Sequence, residues 1–360
     1  MGNSGIREFA LRYDILRGGI KYAEANAAGP AAVSMDMRRK IKRLFSGDLV
    51  LPEGMDRLGD RLRPVLILDK AEYPLGQFIL TTVKAVREGA SCFCRCEGYD
   101  LCFLAQRTRL EQKLYFSAGE RYTDRIQALL QQCGIQSAIV EESDEMFATD
   151  REDWEIGTPV LDIVNSLLDE ISYRSLWFDE AGYARISPIL EPSVQNIRHR
   201  YGPGKEKGYA LVQEAYERED DLFDLCNVFV VQCENPELRE MMQAVSINDD
   251  PASAVSVTRQ GRVMAPRVRL DNISSQAALQ RYADRLRWQS MAATETTVIR
   301  TALNPTHQCG DILALEGDLA PGVYEESGWA MELTAGGLME HTLRRILYRW
   351  PSICKVSGSL

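Results

Sequence analysis

Apolar and polar positions alternate in short runs along most of this chain, a period-two pattern that predicts strands. The clearest case spans Arg61–Leu104. Two apolar runs, Val65–Leu68 and Leu75–Val83, flank the polar turn Asp69–Glu72, and Cys92–Cys96 then alternates strictly. Together they read as a β-meander. Upstream, Phe9, Leu11, Tyr13 and Ile15 alternate as far as Gly18-Gly19, which suits a tight hairpin turn. Ile41, Leu44-Phe45 and Leu49–Leu51, bounded by Gly47-Asp48 and Pro52, read as further strands. Residues 1–104 are therefore expected to form one antiparallel β-domain, a barrel or a sandwich.

The period lengthens after Tyr99. Thr123–Cys133 carries Ile126, Leu129, Leu130 and Cys133 at helical spacing, with Thr123 as a candidate N-cap and Gly134 beyond the last turn. Pro159–Ser172 predicts a second helix, opened by Thr158-Pro159, with Val160, Val164, Leu167, Leu168 and Ile171 in one stripe. A hairpin follows: Ser175–Phe178, the turn Asp179–Gly182, then Tyr183–Ile186. Residues 105–204 thus read as a small α+β module, and Gly202-Pro203-Gly204 with Lys205–Gly208 as a linker.

Residues 205–360 read as a second, mainly β unit with one long helix over 275–292. Asn227–Gln232 is a nearly continuous apolar run, Asn248–Pro251 a turn, and Val255–Val268 suggests two short strands. Ser275–Ala292 places Leu279, Tyr282, Ala283, Leu286 and Met291 towards one side of a helix. Thr296–Ala302, Ile312–Leu315 and the alternation Trp329, Met331, Leu333 are strands again. Met339–Trp350 is basic and apolar, either the last core element or a segment that docks on a partner.

Composition narrows the functional classes. The chain has 360 residues, 45% hydrophobic and 26% charged, ordinary values for a globular protein with real cores. No apolar run is long enough to cross a bilayer, and Met1–Gly5 leads into no signal-peptide core. Synthesis and assembly in a cytoplasm are expected. Nine cysteines, an odd number, scatter outside the group Cys92, Cys94, Cys96 and Cys102, which argues against a disulfide framework. The net charge of −10 disfavours a protein that binds nucleic acid by neutralising phosphates. Charge is also uneven: residues 139–180 hold 13 acidic side chains against 2 basic, whereas residues 1–63 hold 12 basic against 8 acidic. Such a contrast suits complementary faces between subunits, or a well-solvated acidic surface.

Candidate chemistry is sparse. The three histidines, His199, His307 and His341, form no HExxH-like motif. His307 and Cys309 are compatible with half a zinc site or a Cys–His nucleophile, or with a plain loop before a strand. Cys92, Cys94 and Cys96 share one strand face but span about 13 Å, too far for one tetrahedral ion to hold all three. Two of them with Cys102 remain compatible with a metal, and buried packing is the other reading. The acidic pairs Glu141-Glu142, Asp144-Glu145 and Asp220-Asp221 lie in polar runs. Phosphate loops and the G-x-S-x-G elbow are absent. The residues themselves assign no catalytic, cofactor-binding or metal-binding role.

Arg61–Thr82, with Arg63-Pro64, Tyr73-Pro74-Leu75-Gly76 and Phe78, resembles the baseplate or tail-tip hub proteins of tailed bacteriophages. Glu97–Leu101, Tyr122–Ile135, Trp154–Ser172, Leu176–Asp179 with Gly182-Tyr183, Asp221–Val231, Asn248–Pro251 and Pro305–Leu315 follow in the family's order. These hubs are similar to those of contractile tails and to the base of type VI secretion spikes. The resemblance implies a mainly β fold with an α+β insertion: two tube-type antiparallel β-barrel domains plus a small helix-containing module. It further implies a homotrimeric ring that joins the six-fold tail tube to a three-fold tip and lets DNA pass without specific binding. Its partners would be tail tube and distal tail proteins, the tape-measure protein and a tip spike or fibre. The location would be the virion tail tip, assembled in the host bacterial cytoplasm. No enzyme activity is implied, and with Leu360 closing the second β-unit any lytic function is expected in another protein. Two other expectations stand beside this one: a peptidoglycan-degrading tail-tip enzyme using a carboxylate such as Glu141 or Asp153, and a binding module stabilised by metal on Cys92, Cys94 and Cys102.

Overall fold

The computed structural model describes residues 8–202, 217–220, 223, 225–235, 241–251, 253, 255–292, 295–316 and 321–346. The fold is mainly β. The expected first hairpin is present: β1 (Phe9–Arg17) pairs antiparallel with β2 (Ile20–Asp36). Gly18 and Gly19 take φ of 57° and 82°, the two left-handed residues that a type I′ turn needs. β3 (Arg43–Val50), β4 (Arg61–Leu68), β5 (Ala71–Pro74), β6 (Ile79–Glu88) and β7 (Ser91–Tyr99) follow. Hydrogen-bonded neighbours run β5-β4-β1-β2-β3-β7-β6. These ladders draw an open sheet. An isolated bridge, two 2.8 Å bonds between Leu62 and Phe78, ties β4 to the residue before β6.

The run Leu75–Val83 is not one strand. Leu75 and Phe78 are buried, and Gly76 at φ 128° turns the chain between them. Their apolarity reports core-filling from a loop, and β6 begins only at Ile79. Tyr13, Phe45 and Phe78 pack ring to ring at the centre of this core, with Ile15, Val33, Leu62 and Leu66 around them.

Residues 102–186 hold α1 (Cys102–Arg107), α2 (Tyr122–Gln132), β8 (Ala138–Val140), α3 (Val160–Glu170), β9 (Trp177–Phe178) and β10 (Ala184–Ile186). The three strands pair in the order β8-β10-β9, and the expected hairpin is the β9–β10 half. All five residues of the α3 stripe are buried, joined by Leu161 and Ile163, so this helix is central. The caps shift by two residues for α2 and one for α3, with Arg121 and Pro159 at the N-cap positions. Arg151 reaches into this core and pairs both carboxylate oxygens of Glu170 at 2.7 and 3.0 Å, while Tyr122 donates its hydroxyl to Glu170.

The remainder contains β11 (Ile197–Tyr201), β12 (Glu217–Asp220), β13 (Val228–Cys233), β14 (Met242–Ile247), α4 (Val257–Gln260), β15 (Val268–Leu270), α5 (Gln276–Ala292), β16 (Glu295–Ala302), β17 (Ile312–Leu315), β18 (Gly322–Glu332) and β19 (Leu338–Arg345). β14-β13-β15 form a separate sheet, and Leu279, Tyr282 and Ala283 of α5 pack with Val231 and Ala244 of that sheet. Val255–Val268 holds α4 where two strands were expected. Ser256 donates to the carbonyl of Ser253, and this local turn competes with a ladder. β12-β16-β19-β18 form the other group, with β11 and β17 branching from β18.

β18 also pairs with β2, placing Trp329 opposite Met35 and Met331 opposite Val33. One continuous sheet thereby joins the first and last β groups. The Met339–Trp350 segment supplies β19, a core strand; its residues 347–350 lie outside the described residues, as does the Pro203–Gly208 part of the expected linker. Among the described residues no helix is long and apolar enough to cross a membrane.

Candidate functional site

Alternation on three strands builds a polar interior in the C-terminal β group. On β19, Met339, His341, Leu343 and Arg345 are the buried positions; on β16 they are Glu295, Thr297, Ile299 and Thr301. β18 adds Tyr324 and Glu326. At one point Arg345 donates to Glu295 at 2.7 Å, and the Tyr324 hydroxyl reaches the other carboxylate oxygen at 3.1 Å.

A second cluster gathers all three histidines. Nδ1 of His307 lies 2.5 Å from one oxygen of Glu326, and Nδ1 of His341 lies 2.5 Å from the other. The outer nitrogens are held too: the Tyr201 hydroxyl is 2.6 Å from His307 Nε2, and Thr301 Oγ1 is 2.8 Å from His341 Nε2. His199 stacks on His307 with centroids 3.8 Å apart and pairs through Nε2 with Asp311 at 3.2 Å. His307, His341 and Glu326 are essentially inaccessible to solvent.

Local structure explains the convergence. The register of β18 against β19 shifts between Glu326 and Gly328, a bulge that re-aims the strand. The backbone N–H and C=O of Glu326 then bond to Asp311 and Gly310, which docks the loop carrying His307 beside its carboxylate. Gly310 is required here: its φ is 90°, and a Cβ would fall 2.0 Å from Arg174 Nη1. Asn304 accepts from the backbone and hydroxyl of Thr306, and Asp311 accepts from the Gln308 N–H, so the loop is braced at both ends.

Electrostatics follow from burial and pairing. Burial pushes the Glu326 carboxyl up, but the two imidazoles outweigh it and leave its pKa below the ordinary value. Burial lowers His307, against the opposing pull of Glu326. Asp311 is likewise held low, because His199, the Gln308 N–H and Arg198 outweigh its burial. A carboxylate between imidazoles is chemically equipped to hold protons or a cation. Glu326 also borders a cleft of about 200 Å³ lined by Arg38, Arg174, Trp288 and Arg344.

The other candidates fall elsewhere. Cys309 points its Sγ at the Met35 carbonyl, 3.8 Å away, and burial raises its thiol well above the normal range, so a reactive thiolate is disfavoured. Cys92 is exposed, Cys94 half-buried and Cys96 buried, with the Cys96 thiol pushed up to about 12 by burial. Cys102 is buried against the Leu176 carbonyl. Among the described residues, the trios of ligand-type side chains close enough to share an ion contain histidines and carboxylates and no cysteine. Glu141 is exposed just after β8, its N–H bonded to the Ile186 carbonyl of β10, and Asp153 pairs with Arg151 and Asn272.

Sequence reasoning named His307 but missed His199, His341, Glu326 and Asp311 as its neighbours. The available signal was the inward phase of β19, which puts His341 between Met339 and Leu343.

No protein-family model and no curated protein matches the sequence. Solved structures do match over nearly the whole chain. A tail protein from Neisseria meningitidis superposes with a TM-score of 0.65 at 14% identity, covering 94% of this chain and 98% of its own. The 43 kDa tail protein of a Shewanella oneidensis prophage gives 0.64 at 9% identity, covering 93% and 98%. An Escherichia coli type VI secretion component, itself described as similar to tail proteins of bacteriophage T4, gives 0.52 at 10% identity, covering 93% and 77%. At such identities the likeness is one of fold, and it bears out the resemblance read from the sequence: the chain has the fold of phage tail proteins and of a type VI secretion component.

Proposed function

We propose that the chain is a structural baseplate or tail-tip hub of a phage or prophage tail. The carrying observation is the fold match to two tail proteins, one of them from a prophage, over more than nine tenths of the chain. In this reading residues 1–104 and 205–360 each supply a tube-type barrel, and residues 105–204 form the module beside them. Three chains make a ring whose six barrels continue the six-fold tube and present three-fold symmetry to the tip. The protein is scaffold and not catalyst, resides at the virion tail tip after assembly in the host bacterial cytoplasm, and contacts tail tube, distal tail, tape-measure and spike or fibre proteins.

Four features support this reading. The Leu62–Phe78 bridge turns the first sheet back towards itself. The β2–β18 seam holds the two β groups in one sheet, as adjacent segments of a ring require. The hydrogen-bonded path ends at β5 and β12 among the described residues, and such edges are covered when a ring closes. A net charge of −10 per chain, multiplied over three copies, suits a lumen that repels passing DNA.

Light scattering on the purified chain, with negative-stain microscopy, tests the proposal. A trimer mass and three-fold rings are expected. A monomer at high concentration, together with absence from purified tail particles, would refute it.

A further inference from the structure

We propose that His307, His341 and Glu326 form a binding site for a divalent transition metal, with zinc as the best fit. This goes beyond the scaffold reading and does not depend on it. The chain contains three histidines in all, and the fold brings every one of them into a single cluster from three separate segments. Both His307 and His341 turn Nδ1 to the same carboxylate, one to each oxygen, so two nitrogens and two oxygens converge. Two imidazoles and a carboxylate are a recognised zinc donor set, and a two-oxygen Glu326 completes four-coordination. Imidazole and carboxylate together favour this class of ion over calcium or magnesium, which prefer all-oxygen cages.

The outer shell fits the same role. Metal-bound imidazoles have their second nitrogen held by a polar partner, which fixes ring orientation. Here Tyr201 holds Nε2 of His307 and Thr301 holds Nε2 of His341. The ligand atoms lie within 4.8 Å of one another. With bonds of about 2.1 Å, adjacent ligand atoms sit about 3 Å apart, so each N···O pair must open from 2.5 Å by roughly half an ångström. Binding takes each imidazole as its neutral Nε2–H tautomer: the proton shifts from Nδ1 to Nε2, where the oxygen of Tyr201 or Thr301 accepts it, and the Nδ1 lone pair is freed for the ion. His199 and Asp311 make a second trio with His307, and the stacked His199, held by Asp311, braces that ring.

The full-length protein, purified without a histidine tag or chelator, tests the site by elemental analysis and by titration of zinc ions into chelator-treated material. The expected result is about one zinc per chain and a higher melting temperature on zinc addition, both lost in His341→Gln. Thr301→Ala keeps every ligand and removes the outer hydroxyl together with its geminal methyl group. It should weaken zinc affinity about tenfold, which keeps the test decisive if His341→Gln fails to fold. Less than about a tenth of an equivalent in the wild type, with melting indifferent to zinc, would overturn the proposal and leave a cluster held by protons alone. Zinc retained by folded His341→Gln would overturn the assignment to these residues, as would unchanged affinity in Thr301→Ala.

Discussion

Single side chains in this protein carry charge into places where only complete pairing makes it tolerable. Asp14 is fully buried in β1, yet Arg12, Lys21 and Arg63 all reach it at 2.8 Å. Burial raises its carboxyl, the three cations outweigh burial, and the pKa settles at about 2. The sign is that of a depressed acid: an unfolded aspartate titrates near 3.9, so the folded state gains stability above that value and loses it as pH falls from about 4 through about 2. The stability difference between wild type and Asp14→Asn should therefore be largest near neutrality and shrink across that window. Urea unfolding at pH 7, 4 and 3 checks it, and a constant difference would show that the carboxylate charge is irrelevant. Asp14 was legible only as a polar residue in an alternating strand. Its three partners come from β1, β2 and β4, and that meeting depends on strand register.

At the scale of elements, local signals translate most directly. The end of α2 is a case in point. Gly134 sits at φ 81°, its N–H bonds to Gln131, and the Ile135 N–H reaches back to Leu130, the two bonds of a Schellman cap. Ile135 and Leu130 are both buried, which adds the usual apolar contact. Gly134→Ala forces a Cβ into the left-handed region and should cost about 1 kcal/mol, with Gly134→Asn costing less. Chemical denaturation of the two variants tests the order. The same local logic made the Gly18-Gly19 hairpin and the α3 stripe readable in advance. It misled at Leu75–Val83, where Leu75 and Phe78 fill a core from a loop, and at Val255–Val268, where Val255 is buried from the turn before α4 while Val263 and Met264 stay exposed. Periodicity cannot separate those cases, because burial alone sets the apolar pattern.

Across the whole molecule, one residue links three regions. Arg43 on β3 is wholly buried; its guanidinium donates to the carbonyls of Leu75 and Phe178 and to the side chain of Gln308, spanning the first β group, the α+β region and the loop before β17. Gln308 continues the chain of contacts to Glu180 at 2.6 Å. Arg43→Met keeps the apolar stem but strands these acceptors, and should lower stability by about 3 kcal/mol. Arg38→Met, at an exposed position nearby, serves as the near-neutral control. Equal thermal midpoints for the two variants would show that the linkage is dispensable.

The sequence by itself determined the strand-rich character, most turns, the two main helices of the α+β region and α5, because each follows from period and turn chemistry within a few residues. It also carried enough loosely spaced landmarks to suggest the tail-protein fold. Only the tertiary structure decided that β2 pairs with β18 and that His199, His307, His341 and Glu326 meet. Those contacts join positions far apart along the chain, and their energy lies in burial and pairing across strands, so a local alternation such as that of β19 turns His341 inward without naming the residues it meets.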